Sequence, residues 1–362
     1  MGEIEQFLSL ARDEVSRVVL YPVDPKQRIF WLYIVSSVAA AYVVYRAIRA
    51  QGDHATEMDR EAASGSFLNF LFPKRVWSHP SAWLDLRYAF VHKLVSGAAV
   101  LALGAATLAW GYALTGPDIA SLKKSPETTG WIIPAVFMFV AFLLADFTGW
   151  FVHMLQHKSK FLWQFHKVHH SAEVMHPVSN YREHPVDNLT YSAAIGFVQG
   201  TTVGAAISLM GYSPGMPTIL GVPVLMFLFN ILAYNLRHSH VWLRWPGRWS
   251  AVFPSSAHHH VHHSMHPDHI DKNFAFVFPV WDVIFGTYEM PADNRDVKFG
   301  VPEYDRKGLD SILGLYFVPV RDAINVLRNR GPRPDGEEHT GTKAAAPPAQ
   351  GKLTTGRIGA GR

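Results

Sequence analysis

Three histidine clusters with helical spacing, interleaved with segments long and apolar enough to cross a bilayer, constrain this chain more than any other feature. His153 and His157 are four apart, His166, His169 and His170 follow as HxxHH, and His259, His262 and His263 repeat HxxHH. Of the 20 histidines, 16 lie between His153 and His269. A solvated low-complexity tract would not keep three separate helical spacings with apolar residues between them. Helix positions three and four apart share a face, so each cluster is expected to aim its imidazoles at one point. Imidazole suits zinc, copper, iron and nickel. Eight such rings exceed what a single structural zinc takes, about four. Two metals sharing the set is the simpler expectation.

The rest of the chain reads as a membrane protein. Of 362 residues, 49% are hydrophobic and 17% charged, against about a quarter charged in soluble domains. A span needs about 20 apolar residues. Segments 29–48, 89–114 and 131–150 meet that length, and 189–210 and 218–234 are weaker candidates, with Pro223 expected to kink or start the last. The fold class expected is all-α and polytopic: four to five transmembrane helices capped by a cytosolic, helical, histidine-rich domain holding two metals. Residues 1–85 read as a peripheral helix at 1–25, a first span and a polar loop, with FLNFLF at 67–72 placed in the membrane interface. Residues 86–290 read as the membrane and catalytic domain, and 291–330 as a C-terminal extension. Residues 331–362, rich in Gly, Pro, Ala and Thr, bury too little to fold. The first residues, MGEIEQFLSLARDEV, lack the apolar core of a cleavable signal and the Ser/Thr of a myristoylation site.

Sidedness follows from counting spans. Two spans between the first histidine group (153–184) and the second (238–269) return the chain to one face, where a single span would separate them. The loop 46–87 carries six Lys/Arg against two in 116–129, so the histidine face is expected to be cytoplasmic. The net charge of +4, much of it in flanks and tail, suits anionic headgroups. No basic stripe with interleaved aromatics appears, so no nucleic-acid partner is expected. The absence of cysteine removes disulfides, thiolate metal sites, iron–sulfur clusters and cysteine nucleophiles.

Further residues have roles by position. His238, in NLRHSH after the last span, and His184, in YREHPVDN before the fourth, both lie where ligands should gather and are read as ligands. Asp146 lies two turns before His153, and a carboxylate at that depth is costly unless partnered. Its expected role is to hydrogen-bond a ligand imidazole and set its tautomer. His176, His240, His258, His260, His266 and His269 read as loop, surface or supporting residues, His92 as a satisfied buried histidine, and His54, His79 and His339 as surface residues.

These motifs resemble the fatty acid hydroxylase/sterol desaturase superfamily, membrane-bound non-haem di-iron oxygenases. The resemblance rests on HxxxH at His153–His157, HxxHH after an eight-residue gap at His166–His170, and HxxHH at His259–His263. Around them stand DFTGWFVHMLQH, FLWQFHKVHHS and DKNFAFVFPVWDVIFGTYE, covering about 131–290. Met154 departs from the pattern, where many members carry arginine. In the run HHHVHH the register His259/His262/His263 keeps HxxHH, whereas His258 and His260 do not. The resemblance implies two iron ions, with zinc able to replace them in purified protein, and O2 as cosubstrate. It implies that Asn273 and Asp282 support the centre without binding metal. It also implies hydroxylation, or alternatively desaturation, at an unactivated C–H of a membrane lipid, whether sterol, fatty-acyl or alkyl. The chain has no dinucleotide fingerprint and no cluster-binding cysteines. Electrons are therefore expected from an external donor of ferredoxin, cytochrome b5 or reductase type. The eight-residue gap favours the sterol/alkyl-lipid branch over acyl-CoA desaturases. A metal transporter or store is the reading from another class. It fits poorly, because transporters place ligands near the bilayer midplane, whereas these gather at span ends.

Overall fold

A computed structural model describes residues 19–328 except 122–129, 233, 246 and 292–296, together with Ser16. Most of the expected peripheral helix at 1–25, and the tail 331–362, lie outside the described residues. The principal helices are α1 (Trp31–Gln51), α2 (Pro80–Thr115), α3 (Ile132–Lys158), α4 (Lys160–His170), α5 (Pro185–Met210), α6 (Val224–Ile231), α7 (Ser256–His262), α8 (Val280–Phe285) and α9 (Ile312–Leu327). Among the described residues the only named strands are β1 (Thr218–Ile219) and β2 (Val222–Pro223), paired antiparallel. Among the described residues four helices are long and apolar enough to cross a membrane: α1 with the turn to His54, α2, α3 and α5. The chain is an all-α, polytopic membrane protein.

The fifth expected span does not form. Leu220 and Gly221 both have positive φ (51° and 75°) in the turn between β1 and β2. Pro223 then caps α6, which is eight residues long. At 1.5 Å per residue it rises about 12 Å, under half of a ~30 Å hydrocarbon core. Hydropathy alone does not see that Pro217, Gly221 and Pro223 cut this apolar run. The shorter path still returns the chain to His238, so both histidine groups meet at one end of the bundle.

That end is set by α2, α3 and α5, which run alternately. Ser208 near the end of α5 donates to the Thr115 carbonyl at the end of α2 (2.6 Å). At the opposite end, Tyr88 of α2 donates to the Glu183 carbonyl just before α5 (2.8 Å). Helix approach between α2 and α5 is close because glycines face backbone: a Cβ on Gly200 would stand 1.9 Å from the Leu108 carbonyl oxygen. In lipid, such contacts and interhelical hydrogen bonds replace the hydrophobic drive. Ser192 Oγ to Val100 O (2.7 Å) and Thr115 Oγ1 to Thr201 O (3.0 Å) are two such bonds. His92 is buried and satisfied by Ser96 Oγ (3.1 Å) and Asn188 Nδ2 (2.8 Å).

Outside the spans, 50–85 is more ordered than a polar loop. It forms helices Glu57–Ala62, Phe67–Leu71 and Lys74–Trp77, and Phe70 is buried against Tyr45 and Leu236. The segment after 297 is packed, not appended. Leu309 and Leu315 form a core with Leu84, Tyr88 and Val168, which fixes α9 against α4 and the start of α2. Lys167 of α4, 1% exposed, pairs with Asp305 (3.2 Å) and Asp322 (2.8 Å).

Candidate metal centre

Nine histidines lie at the bundle end in two groups. His153, His157, His166, His170 and His262 form one; His169, His238, His259 and His263 form the other. Within each group the ligand nitrogens all lie within 4.8 Å of one another. The groups abut, with the His170 and His263 rings stacked at 4.4 Å. Every pair four apart shares a group: 153/157, 166/170 and 259/263. The triplets do not converge on one point, as their spacing suggested. Successive helix residues turn by about 100°, so His169 and His170 part company, as do His262 and His263. Each HxxHH therefore supplies both groups.

The local structure follows from the chain. Apolar α3 delivers His153 and His157 at its inner end. Ser159 then accepts from Leu162 N–H (3.3 Å) and starts α4, which turns the second cluster back toward the first. Arg182, buried against Asp85 and bonded to the Ser171 carbonyl (3.1 Å), folds the segment after α4 over the site.

Six of the nine rings are faced at Nδ1 in a way that aims the other nitrogen at the group. His153 donates to the Phe274 carbonyl (2.8 Å), His262 to Lys272 O (2.8 Å), His169 to Arg182 O (3.3 Å) and His166 to Asp187 (3.2 Å). His157 Nδ1 stands 3.5 Å from Asp271. Ser179 gives its proton to His176 O and so accepts from His238 (3.0 Å). A carbonyl or carboxylate at Nδ1 fixes the tautomer with a lone pair on Nε2. His259 is the exception: Arg237 donates to its Nδ1 (2.9 Å), and its Nε2 faces His238 Nε2 at 2.6 Å. Burial pushes His169, His170, His238, His259, His262 and His263 well below the usual imidazole range, so they are neutral, the form that ligates.

The donor set fits metal. The Nε2 atoms of His157, His166, His170 and His262 are all buried without a hydrogen-bond partner. Four orphaned acceptors in one pocket are costly in a folded protein, and a bound cation satisfies them together.

Three expectations are corrected. His184 belongs to neither group: its Nδ1 accepts from Val186 N–H (3.1 Å) and its Nε2 meets the Tyr316 carbonyl (3.0 Å). It caps α5 ahead of Pro185. Asp146 touches no imidazole; it accepts from Val277 N–H (2.9 Å), Phe278 N–H (3.0 Å) and Trp281 Nε1 (2.9 Å). Its carboxylate pins the chain before α8 to α3. His176, His258 and His260, read as loop, surface or supporting residues, are buried, which removes the surface part of that reading.

In the four-residue shelf 271–274, sequence reading named Asn273 and missed the other three. Asp271, Lys272 and Phe274 hold His157, His262 and His153 in turn. Asp271 and Asn273 adopt positive φ (59° and 57°), a region that Asp and Asn tolerate better than other side chains. Asn273 braces the shelf by bonding Glu289 O (2.9 Å) and accepting Glu289 N–H (2.8 Å). Asp282 accepts from Phe274 N–H (3.0 Å), Ala275 N–H (2.9 Å) and Trp150 Nε1 (2.9 Å). Both act on the backbone that holds the rings. Asp187, Ser179 and Arg237 were also missed. Asp187 was readable in principle, as an acidic residue in the first turn of α5 beside the boxes; the backbone acceptors leave no side-chain trace.

Beside both groups lies a small cavity of about 20 Å³ that reaches His153, His166, His169, His238 and His259. Asn180 Nδ2 and Tyr191 Oη, also in its lining, are buried without partners.

Known proteins give the same placement. The fatty acid hydroxylase family matches residues 138–287. Human alkylglycerol monooxygenase is 32% identical over 165 residues, covering 44% of this chain and 32% of that protein. A very-long-chain aldehyde decarbonylase of Oryza sativa subsp. indica is 31% identical over 160 residues, covering 43% and 56%. Sphinganine C4-monooxygenase 1 of Arabidopsis thaliana is 28% identical over 182 residues, covering 49% and 62%. The chain thus spans about a third of the length of the first and over half of the others. No solved structure matches. Residues 138–287, which carry all nine clustered histidines, match the fatty acid hydroxylase family.

Proposed function

We propose that this protein is a membrane-bound, O2-dependent lipid hydroxylase with a two-iron centre. The observation that carries the reading is the pair of abutting, buried histidine groups at the end of the spans. His153, His157, His166, His170 and His262 would hold one ion, and His169, His238, His259 and His263 the other. When bound, the metal pair supplies the activation of O2 needed to replace an unactivated C–H bond by C–OH. The protein's own part is positional. The shelf 271–274, Arg182, Asp187 and Ser179 hold the Nδ1 of six rings and keep their Nε2 aimed and unprotonated. Burial of the rings excludes water, which protects the chemistry from side reactions.

A lipid can reach this centre without leaving the bilayer, because α3 and α5, which carry His153 and Asp187, are spans. The cavity beside the groups is bordered by polar side chains, Asn180, Glu183 and Tyr191 among them. That favours a substrate with an oxygen or nitrogen near the reacting carbon, in keeping with the alkylglycerol and sphinganine in the relatives' names. Electrons come from an external donor, and the basic bias of 46–87 supports a docking face on the cytoplasmic side. A desaturase would use the same centre and leave a double bond.

The test is lipid mass spectrometry under 18O2, comparing cells with the intact protein and with His169→Ala, plus metal analysis of both proteins. A lipid carrying one 18O atom only with the intact protein supports hydroxylation, and a product two hydrogens lighter without label supports desaturation. Identical lipidomes would sink the oxygenase reading. An all-imidazole set accepts iron and zinc alike, so metal identity is measured beside the product.

A further inference from the structure

We propose that α9 is an interfacial helix that lies in the headgroup region of the bilayer and holds the histidine helix α4 at the membrane surface. The inference does not depend on the reaction. Leu313, Phe317, Val320, Ile324 and Leu327 of α9 are exposed at 68%, 67%, 40%, 40% and 69%. At 3.6 residues per turn these five positions fall within an arc of about 80°. Leu315, Pro319 and Ala323, the buried residues of the helix, lie on a separate arc. α9 therefore has two apolar faces, one used in the core and one uncovered. On the same wheel Arg321 and Arg328, both exposed, flank the uncovered stripe on one side.

A narrow apolar stripe bordered by cations is the pattern of a helix lying in a membrane surface. With 16 residues, α9 is about 24 Å long, short of a span, and it carries Arg321, Asp322 and Asn325. Its neighbour identifies the occupant. α9 packs on Leu84 and Tyr88 in the first turns of α2, and those same turns expose Trp83, Leu86 and Phe90. α2 has 36 residues, about 54 Å, and overshoots a ~30 Å core, so its first turns sit at headgroup level. The stripe on α9 continues that lipid-facing surface. The Lys167 pairs to Asp305 and Asp322 and the Val168–Leu315 packing then couple the depth of α9 to that of α4, which carries His166, His169 and His170.

The chain contains no cysteine, so single nitroxide labels can be placed without background. The full chain, reconstituted in vesicles of mixed neutral and anionic lipid, would be labelled separately at Leu313→Cys, Phe317→Cys and Ile324→Cys. Leu101→Cys in α2 is the buried-in-lipid control and Lys307→Cys the aqueous one. Collision with O2 and with a water-soluble nickel chelate is then measured. The expected result is an O2-to-chelate ratio at 313, 317 and 324 well above that at 307, with a depth of about 5–10 Å and shallower than at 101. A ratio equal to that at Lys307→Cys at these positions overturns the proposal. So does protection from both agents with spin–spin broadening, which would mean that a second copy covers the stripe. Three positions guard against a single variant that does not fold.

Discussion

Asp187 offers a test of the proposed two-metal centre, because its loss should release one metal and leave the other. Its carboxylate, 4% exposed, accepts from His166 Nδ1 at 3.2 Å and from Gln156 Nε2 at 3.1 Å. In Asp187→Asn the shape survives, but one carboxyl oxygen becomes an amide that can only donate. One of the two bonds then sets donor against donor, and the charge that assists the other is gone. A hydrogen bond to a charged group contributes about 1.5–3 kcal/mol, and loss of such a partner behind a ligand histidine weakens metal binding about 10- to 100-fold. At about 1.4 kcal/mol per decade the two figures agree. The effect should be confined to the group that contains His166, because His169, His238, His259 and His263 are held by other partners. Chelator titration of the purified, metal-loaded variant, followed by elemental analysis, should therefore become biphasic: one ion leaves at 10- to 100-fold lower chelator, the other where it does in the parent. Asp146→Asn is the control, because that carboxylate bonds three donors and no imidazole; thermal stability should fall without splitting the titration. Release of both ions together from Asp187→Asn, or at the parent's chelator concentration, would refute the division into two groups.

Three other perturbations have clear directions. Gly200→Val puts a side chain where a Cβ alone would be 1.9 Å from Leu108 O; overpacking of this kind costs about 1–3 kcal/mol or more, read as a lower melting temperature in detergent with normal metal loading per folded molecule. Lys167→Met leaves Asp305 and Asp322 without their buried cation, a loss of about 3–5 kcal/mol, and adding Asp322→Asn should recover part of the melting temperature. Burial lowers His240, His258 and His260 from 6.5 to about 4. The unfolded chain therefore binds more protons in that window, and stability must fall as pH drops from about 6.5 toward 4. Melting temperatures measured from pH 7.5 down to 5 should hold steady and then decline, and a flat profile would count against buried, neutral rings.

The physics of what was legible is uneven. Helical spacing alone identified His153/157, His166/170 and His259/263 as partners, because four residues bring two rings to one face whatever surrounds them. It could not assign His169 or His262, since one step along a helix is enough to reach a second point, and only the packing of α4 on α7 decides which. His184 stands before Pro185, a position suited equally to a ligand and to a helix cap. The cap prevails because both of its ring nitrogens find backbone partners. The run 218–234 has the hydropathy of a span, yet hydropathy is a sum, and one proline and one glycine at the right places break a helix without changing that sum by much.

The shelf at 271–274 was the least visible part of the centre and constrains it most. Its hold on His153 and His262 comes from carbonyl groups, which every residue has, so no side chain advertises it. What the sequence does carry is the means of bending the backbone there: Asp271 and Asn273 at the two positive-φ positions, Asn273 tied to Glu289, and Asp282 gathering Phe274 and Ala275. A non-glycine residue held in that conformation persists only where its surroundings over-determine it. Here those surroundings also aim three of the five rings in one group. The resemblance of DKNFAFVFPVWD to a family motif thus has a physical content separate from ligation. It is the support that turns a set of correctly spaced histidines into two separate groups of converging rings.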